Sequence, residues 1–146
     1  MKTIEPPVIV EETFKSSQAN VWLAITRPGR MVKWYFDNIP DFKPEVGFET
    51  AFNVQNEGRD FLHQWKVTEV IPNKKIAYNW TYKDYDGEAI VSFELSHDGK
   101  FTKLVLTNTV LKDFDDNIPE FRRESCVGGW EYFIKGRLKD YLKSPK

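Results

Sequence analysis

The stretch from Pro119 to Leu142, PEFRRESCVGGWEYFIKGRLKDYL, decides the fold. It is the only segment of the sequence that is both long enough and periodic enough to form a major helix. Its large apolar residues recur at steps of three and four, a spacing that puts them on one face of a helix. This face consists of Trp130, Phe133, Ile134, Leu138 and Leu142. The pattern predicts a long C-terminal helix that packs with one side against the rest of the chain.

The ends and the middle of this helix carry further signals. We expect Asn117 to cap its N-terminus and Pro119 to lie in the first turn, where the missing N–H costs nothing. Ser144-Pro145 is expected to follow its last turn. The Gly128-Gly129 pair weakens the helix by about 1 kcal/mol per glycine relative to alanine. Close packing against a bulky neighbour would explain the pair, and so would a flexible point beside the mouth of a pocket.

The residues upstream predict the partner of this helix. Val8 to Lys15 indicates a first strand, and two short helices follow, over residues 18–26 and 30–35. Ser16-Ser17 is expected to cap the first of them. From Val46 to Val110 the apolar period changes to two, with turn residues between the segments. The sequence therefore predicts an α+β fold in which a curved antiparallel sheet of about six strands wraps around the C-terminal helix.

Composition narrows the class of protein. The 146 residues are expected to form one domain, 1–146, with 40% hydrophobic and 29% charged residues, as in soluble globular proteins. No apolar run approaches the roughly 20 residues that span a bilayer, and signal-peptide features are missing, so we expect a cytoplasmic protein without a membrane partner. The single cysteine, Cys126, agrees with a reducing compartment. A net charge of −1 without a basic stripe argues against nucleic-acid binding.

Aromatic residues are abundant, at 15% of the chain. They predict either an ordinary aromatic core or an apolar cavity lined by rings. If the sheet wraps the helix incompletely, a cavity remains between the two. His63 and Asn108 fall on the inward faces of their strands and are the candidates for polar contacts with a ligand.

Three stretches resemble one known group of proteins. VWLAITRPGRMVKWYF (residues 21–36), WKVTEVIPNKKIAYNW (65–80) and GGWEYFIKGRLKDYL (128–142) are similar, in this order, to the START-like, Bet v 1-like (SRPBCC) helix-grip superfamily. Within it they resemble the domain family named after the activator of the Hsp90 ATPase. The resemblance implies a helix-grip fold around an internal cavity, which in this superfamily often suits hydrophobic small molecules.

The candidate ligand-binding residues come mainly from the inward faces of the strands and from the apolar face of the C-terminal helix. Trp34 and Phe36 are expected at the entrance of the cavity. The full set predicted to line it is Trp34, Phe36, His63, Trp65, Tyr78, Trp80, Phe93, Leu106, Asn108, Trp130 and Ile134. No residue pattern indicates a catalytic group, a metal site or a cofactor.

Three functions follow as hypotheses. The first is a monomeric, non-enzymatic binding protein for a lipid-like, aromatic or polyketide-like small molecule. The second is an enzyme of the polyketide cyclase type, which would need polar groups such as His63 and Asn108 to converge inside the cavity. The third is a chaperone-binding or stress-response role like that of the Hsp90 co-chaperone, which would be marked by an exposed patch rather than a deep cavity.

Overall fold

A computed structural model describes residues 1–143 of the chain. In chain order the elements are strand β1 (Val8–Phe14), helices α1 (Gln18–Thr26) and α2 (Pro28–Trp34), and strands β2 (Glu49–Asn56), β3 (Arg59–Ile71), β4 (Lys75–Tyr82), β5 (Glu88–Asp98) and β6 (Phe101–Lys112). A short 3₁₀ turn (Pro119–Phe121) precedes the C-terminal helix, residues 123–143. The predicted α+β order of elements is confirmed.

The six strands form one antiparallel sheet in the order β1-β6-β5-β4-β3-β2. The connection between β2 and β3 is a tight turn in which Glu57 and Gly58 both have positive φ angles, 53° and 79°. Two such residues in succession match the twist of a two-residue hairpin. A bulge between Val67 and Glu69 interrupts the pairing of β3 with β4, and bulges of this kind bend a sheet. The result is an open, curved sheet, and we call the side facing the C-terminal helix its inner face.

Helix α1 has the predicted bounds, whereas α2 begins at Pro28 and ends at Trp34 instead of covering residues 30–35. Ser17 caps α1 because its side-chain oxygen accepts a hydrogen bond from the Asn20 backbone N–H. Pro28 stands at the start of α2, where it satisfies the geometry of a first turn. Helix α1 packs against β5 and β6. The Arg137 guanidinium donates to the Lys33 carbonyl, which ties α2 to the C-terminal helix.

The C-terminal helix differs from the prediction at its start. Residues 119–121 form a separate 3₁₀ turn, and Arg122 is extended, so the helix begins at Arg123 and Asn117 does not cap it. The reason is that Phe121 is completely buried, and the break at Arg122 lets its ring turn into the protein interior. Ser144-Pro145, the predicted end, lies outside the described residues. In the middle, Tyr132–Leu138 adopts π-helical geometry, a rare form that occurs mostly as short insertions within α-helices.

The core consists of two apolar clusters. The main cluster joins α1, α2, the inner face of the sheet and the buried helix residues Trp130, Ile134 and Leu138. A smaller cluster lies near the start of the C-terminal helix and contains Met1, Phe61, Ala89, Phe114 and Phe121. Tyr82 and Cys126 pack against both clusters. Within residues 1–143, the structure contains no helix long and apolar enough to cross a membrane.

Candidate ligand-binding cavity

A cavity of about 440 Å³, partly open to solvent, lies where the two clusters meet, bordered by the inner face of the sheet and the first half of the C-terminal helix. All five members of the smaller cluster line it. Phe36, Val54, Trp80, Trp130 and Phe133 supply much of the opposite apolar wall. Cavities of roughly 300–1,000 Å³ with mainly apolar walls and a few polar groups are typical of small-molecule sites.

Gly129 leaves space for the cavity. A side chain at residue 129 would point from the C-terminal helix towards the sheet. A Cβ atom added to Gly129 would nevertheless meet nothing within 4 Å. The same is true of Gly128, which is exposed and does not line the cavity. Close packing therefore does not explain the glycine pair. Part of the cavity occupies the space that a side chain at residue 129 would fill.

His63 is the most enclosed titratable group in the wall. Its Nδ1 atom lies 3.1 Å from the Phe61 carbonyl oxygen, and because a carbonyl can only accept, this nitrogen carries the proton and Nε2 remains an acceptor. The ring stacks on Phe52 and meets the Tyr82 ring edge-on, with centroids 5.2 and 4.7 Å apart. Burial lowers the pKa of His63 from 6.5 to about 4, so the imidazole is neutral at physiological pH.

Two further wall residues have N–H groups without a hydrogen-bond partner. Asn108 and Trp80 are 5% and 8% exposed, and neither the Asn108 amide nitrogen nor the Trp80 indole nitrogen has a partner among the described residues. The Trp80 N–H lies near the Tyr82 hydroxyl but does not reach hydrogen-bond geometry. Buried donors are usually paired with another protein group or with ordered water.

Burial also keeps two other wall groups neutral. It raises the pKa of the Tyr82 phenol far above its usual value. It raises the pKa of the Cys126 thiol to about 11, so this cysteine is a protonated, weakly reactive thiol at neutral pH. Among residues 1–143, no three His, Cys, Asp or Glu side chains come together in an arrangement that could hold a metal ion.

A charged contact joins the start of β3 to the 3₁₀ turn at one side of the cavity. Arg59, at the start of β3, donates from Nε and Nη2 to the two carboxylate oxygens of Glu120, at 2.9 and 2.8 Å. The Asn56 side chain donates to the same carboxylate at 2.6 Å. Glu120 lies in the 3₁₀ turn and lines the cavity. Its hydrogen bonds with Arg59 lower the pKa of the Glu120 carboxyl to about 2, and we call this contact the Arg59–Glu120 bridge.

The structure divides the sequence-predicted site residues into two groups. Five of them line the cavity: Phe36, His63, Trp80, Asn108 and Trp130. Six others lie in the solid part of the main cluster and do not line it: Trp34, Trp65, Tyr78, Phe93, Leu106 and Ile134. Trp34 is fully buried and its indole N–H donates to the Ala24 carbonyl, so it lies inside the core rather than at an entrance.

Several wall residues were not predicted from the sequence. Phe114, Phe121 and Met1 come from the loop after β6, the 3₁₀ turn and the start of the chain, where no periodic pattern indicates which side chains are inward. Gly87 offers one usable signal. It has φ 122°, and a Cβ atom there would collide with the Phe114 ring, so this glycine marks a place where another residue lies directly on the backbone.

The comparisons with known proteins agree with this architecture. The sequence profile described as activator of Hsp90 ATPase homolog 1-like protein matches residues 15–143. The chain belongs to this family. The family resemblance drawn from the sequence is thereby confirmed, and with it the helix-grip fold. A search of curated proteins finds no match for the chain.

Solved structures show the same fold at low sequence identity. CV1439 from Chromobacterium violaceum superimposes with a TM-score of 0.80 at 17% identity, over 95% of this chain and 98% of that one. DynU16, a protein of the dynemicin biosynthetic locus, gives 0.76 at 22% identity, over 96% of this chain and 48% of that one. The Aha1 dimer from Colwellia psychrerythraea gives 0.72 at 22% identity, over 94% and 96%. These likenesses show that the chain shares its fold with the three proteins.

Proposed function

We propose that this protein binds a hydrophobic, ring-containing small molecule in the cavity between the sheet and the C-terminal helix. The observation that carries the proposal is the cavity itself, about 440 Å³ in volume and lined mainly by aromatic and aliphatic side chains. Pockets of this size and lining are typical of sites that bury a small molecule. A ligand of matching shape would gain free energy by burying its apolar surface against these side chains. The relative from the dynemicin biosynthetic locus supports a small molecule as the occupant.

The wall favours rings over a flexible chain. Phe36 and Phe133 meet edge-to-face with centroids 5.1 Å apart, and Trp80 and Trp130 do so at 5.7 Å. These four rings offer both faces and edges to the cavity, and an aromatic ligand can continue such an arrangement with favourable offset or edge contacts. The protein is proposed to act as a monomer in the cytoplasm, where its single cysteine would stay reduced.

The test combines a binding screen with two matched variants. Native mass spectrometry or ligand-observed NMR would screen lipids, flavonoids and polyketide-like compounds against the protein. Gly129→Leu places a side chain in the cavity, whereas Gly128→Leu places the same side chain on the exposed side of the same helix. We expect hits whose affinity falls at least tenfold in Gly129→Leu, roughly the effect of losing 1.4 kcal/mol, and stays unchanged in Gly128→Leu. Hits that bind both variants as well as the wild type would contradict the proposal.

One observation favours a second function, that of a cyclase. His63 and Asn108, the polar groups that such an enzyme would need, both line the same cavity. The low pKa of His63, about 4, makes its imidazole a weak base at neutral pH. A cyclase acting by aldol closure and dehydration would release one water from a poly-carbonyl substrate, and mass spectrometry of the incubated compound would detect that loss. Aldol closure alone leaves the mass unchanged, so the retention time of the compound is compared as well. An unchanged mass and an unchanged retention time, together with tight binding, would leave binding as the function.

A further inference from the structure

The His63 imidazole offers one unused acceptor to the cavity. Its Nδ1 atom donates to the Phe61 carbonyl, so the lone pair of the ring is on Nε2. Among the described residues Nε2 has no hydrogen-bond partner, but it keeps some accessible surface, whereas the unpartnered nitrogens of Trp65, Trp80 and Asn108 keep almost none. Because His63 lines the cavity, a molecule bound there can reach this acceptor.

The surroundings of this acceptor are aromatic. His63 lies on the inner face of β3, and its Nδ1 atom bonds to the backbone of the same strand two residues earlier. Nε2 is the ring nitrogen farther from the backbone. The Phe36 and Trp80 rings, which also line the cavity, have centroids 5.0 and 5.5 Å from that of the imidazole. A ligand group that reaches Nε2 is therefore beside these two rings.

An acceptor in this position is matched by a donor on the ligand. Burial lowers the pKa of His63 to about 4, so at neutral pH Nε2 accepts a hydrogen bond but has no proton to donate. A wholly apolar ligand would cover Nε2 and leave it unpaired, which costs free energy. A ligand hydroxyl would pair with it. If an aromatic ring carries that hydroxyl, the ring also gains offset or edge contacts with Phe36 and Trp80.

We propose that the ligand is a hydroxylated aromatic molecule, and that its ring hydroxyl donates a hydrogen bond to Nε2 of His63. This inference rests on the proposed binding function and narrows it to one chemical class. It makes His63 the residue that distinguishes a ring with a hydroxyl from a ring of the same size without one.

Two probes of equal size test the inference. Naphthol and methylnaphthalene, substituted at the same ring carbon, have the same number of non-hydrogen atoms, but only naphthol carries a donor. Ligand-observed NMR titrations at neutral pH give a dissociation constant for each probe. Naphthol also loses more hydration on entering an apolar cavity. The quantity compared between proteins is therefore the preference for naphthol, which is the dissociation constant of methylnaphthalene divided by that of naphthol.

Two variants assign the preference to His63. His63→Leu removes the acceptor and keeps an apolar side chain of similar size, so the preference for naphthol should fall about tenfold from its wild-type value, the effect of leaving one buried donor unpaired. Methylnaphthalene should still bind this variant. Ser125→Ala removes an exposed hydroxyl elsewhere on the wall and should keep the wild-type preference.

Nitrogen NMR of the wild-type protein tests the same contact without a substitution. In the ligand-free protein, the ring-nitrogen chemical shifts of His63 should show a proton on Nδ1 and none on Nε2. Saturation with naphthol should move the Nε2 signal towards the position of a protonated nitrogen, because this atom then accepts a hydrogen bond. Methylnaphthalene should not move the signal in that direction.

The possible outcomes separate the inference from the proposed function. An unchanged preference in His63→Leu, or an Nε2 signal that naphthol leaves in place, would overturn the inference and leave a hydrophobic binding protein. A proton on Nε2 in the ligand-free protein would also overturn it. If His63→Leu does not fold, the Nε2 signal of the wild-type protein decides. Failure of both probes to bind at millimolar concentration would count against both the inference and the proposed function.

Discussion

His63 shows how one wall residue can be polar without being charged. Phe36, Phe52, Trp80 and Tyr82 surround its ring, and none of these neighbours carries a charge at neutral pH. The desolvation of the ring therefore exceeds the single hydrogen bond to the Phe61 carbonyl, which acts in the opposite direction. The outcome is a pKa of about 4, and this value links the acid stability of the whole protein to one side chain.

This linkage gives the first prediction. The folded protein holds His63 unprotonated, whereas the unfolded chain binds a proton near pH 6.5, so stability should fall as the pH drops from 6.5 to about 4. Over that interval the group should account for about 3 kcal/mol of the free energy of unfolding. Denaturant unfolding at pH 7 and pH 4.5 should show a smaller loss in His63→Leu than in the wild type. His97→Asn, at the exposed end of β5, should lose as much as the wild type, and an equal loss in His63→Leu would refute the assignment.

A second residue-scale prediction concerns two hydroxyls in the solid core. Tyr35 and Tyr78 are fully buried, and their hydroxyl oxygens lie 2.9 Å apart. Tyr78→Phe leaves the Tyr35 hydroxyl without this partner, and should reduce the free energy of unfolding by about 1–3 kcal/mol. Replacing both with phenylalanine should restore most of that loss, because no buried hydroxyl is left unpaired. A double-mutant cycle in denaturant measures the coupling, and strictly additive losses would contradict it.

At the scale of elements, the Arg59–Glu120 bridge holds the β2–β3 hairpin against the turn that precedes the C-terminal helix. These two segments stand on the same side of the cavity, and the Phe61 and Phe121 rings also pack between them, with centroids 5.4 Å apart. Arg59 donates a hydrogen bond to each carboxylate oxygen of Glu120. Two-point contacts of this kind are stronger than single hydrogen bonds between neutral groups. The Glu120 carboxylate also keeps its charge at mildly acidic pH, since its pKa is about 2. Its contribution is therefore lost only as the pH falls from the usual glutamate range towards 2.

The third prediction tests this role. In Glu120→Gln the charge that holds Arg59 disappears, so the backbone amides of the hairpin turn, residues 56–59, should exchange with deuterium faster than in the wild type. Glu69→Gln removes a carboxylate that pairs with Lys75 elsewhere on the sheet, and should leave the exchange of the turn unchanged. Equal exchange of residues 56–59 in all three proteins would show that the bridge does not restrain the hairpin.

The elements also show where sequence reasoning succeeds. The alternation in β3 and β4 predicts an inward face because successive side chains of a strand point to opposite sides, and Trp65, Tyr78 and Trp80 are buried accordingly. The start of the C-terminal helix is different. Asn117 has the chemistry of a cap, but the burial of Phe121 requires a separate turn and an extended Arg122. A local capping preference of about 1 kcal/mol cannot outweigh the burial of a phenylalanine.

At the scale of the whole molecule, the decisive property is the distance between helix and sheet. Tyr78 and Phe93 face inward like Trp80 and Asn108, but the first two are packed solidly while the others border the cavity. Strand periodicity states which side of the sheet a residue occupies. It does not state how closely the helix approaches there, because that depends on the sizes of many side chains packed together. The fold was therefore readable from the sequence, but 14 of the 19 residues that line the cavity were not.

The fourth prediction concerns the stability of the complete protein with its ligand. A compound that binds the folded state alone stabilises it by mass action, by about 2.7 kcal/mol at a concentration one hundred times its dissociation constant. Thermal unfolding with a screened hit should show a rise in melting temperature that depends on ligand concentration. In Gly129→Leu the rise at the same concentration should shrink or vanish. A rise that is undiminished in that variant would place the ligand on the outer surface of the protein.

The two halves of the C-terminal helix face different surroundings. Ile134 and Leu138 are embedded in tightly packed side chains, whereas Ser125 and Gly129 border open space. Substitutions in the second half of the helix would disturb the packing of the core. Those in the first half would mainly change the shape of the cavity. Over evolutionary time, selection could therefore retune what the pocket accepts by changing a few positions near residue 129 while the scaffold stays as it is.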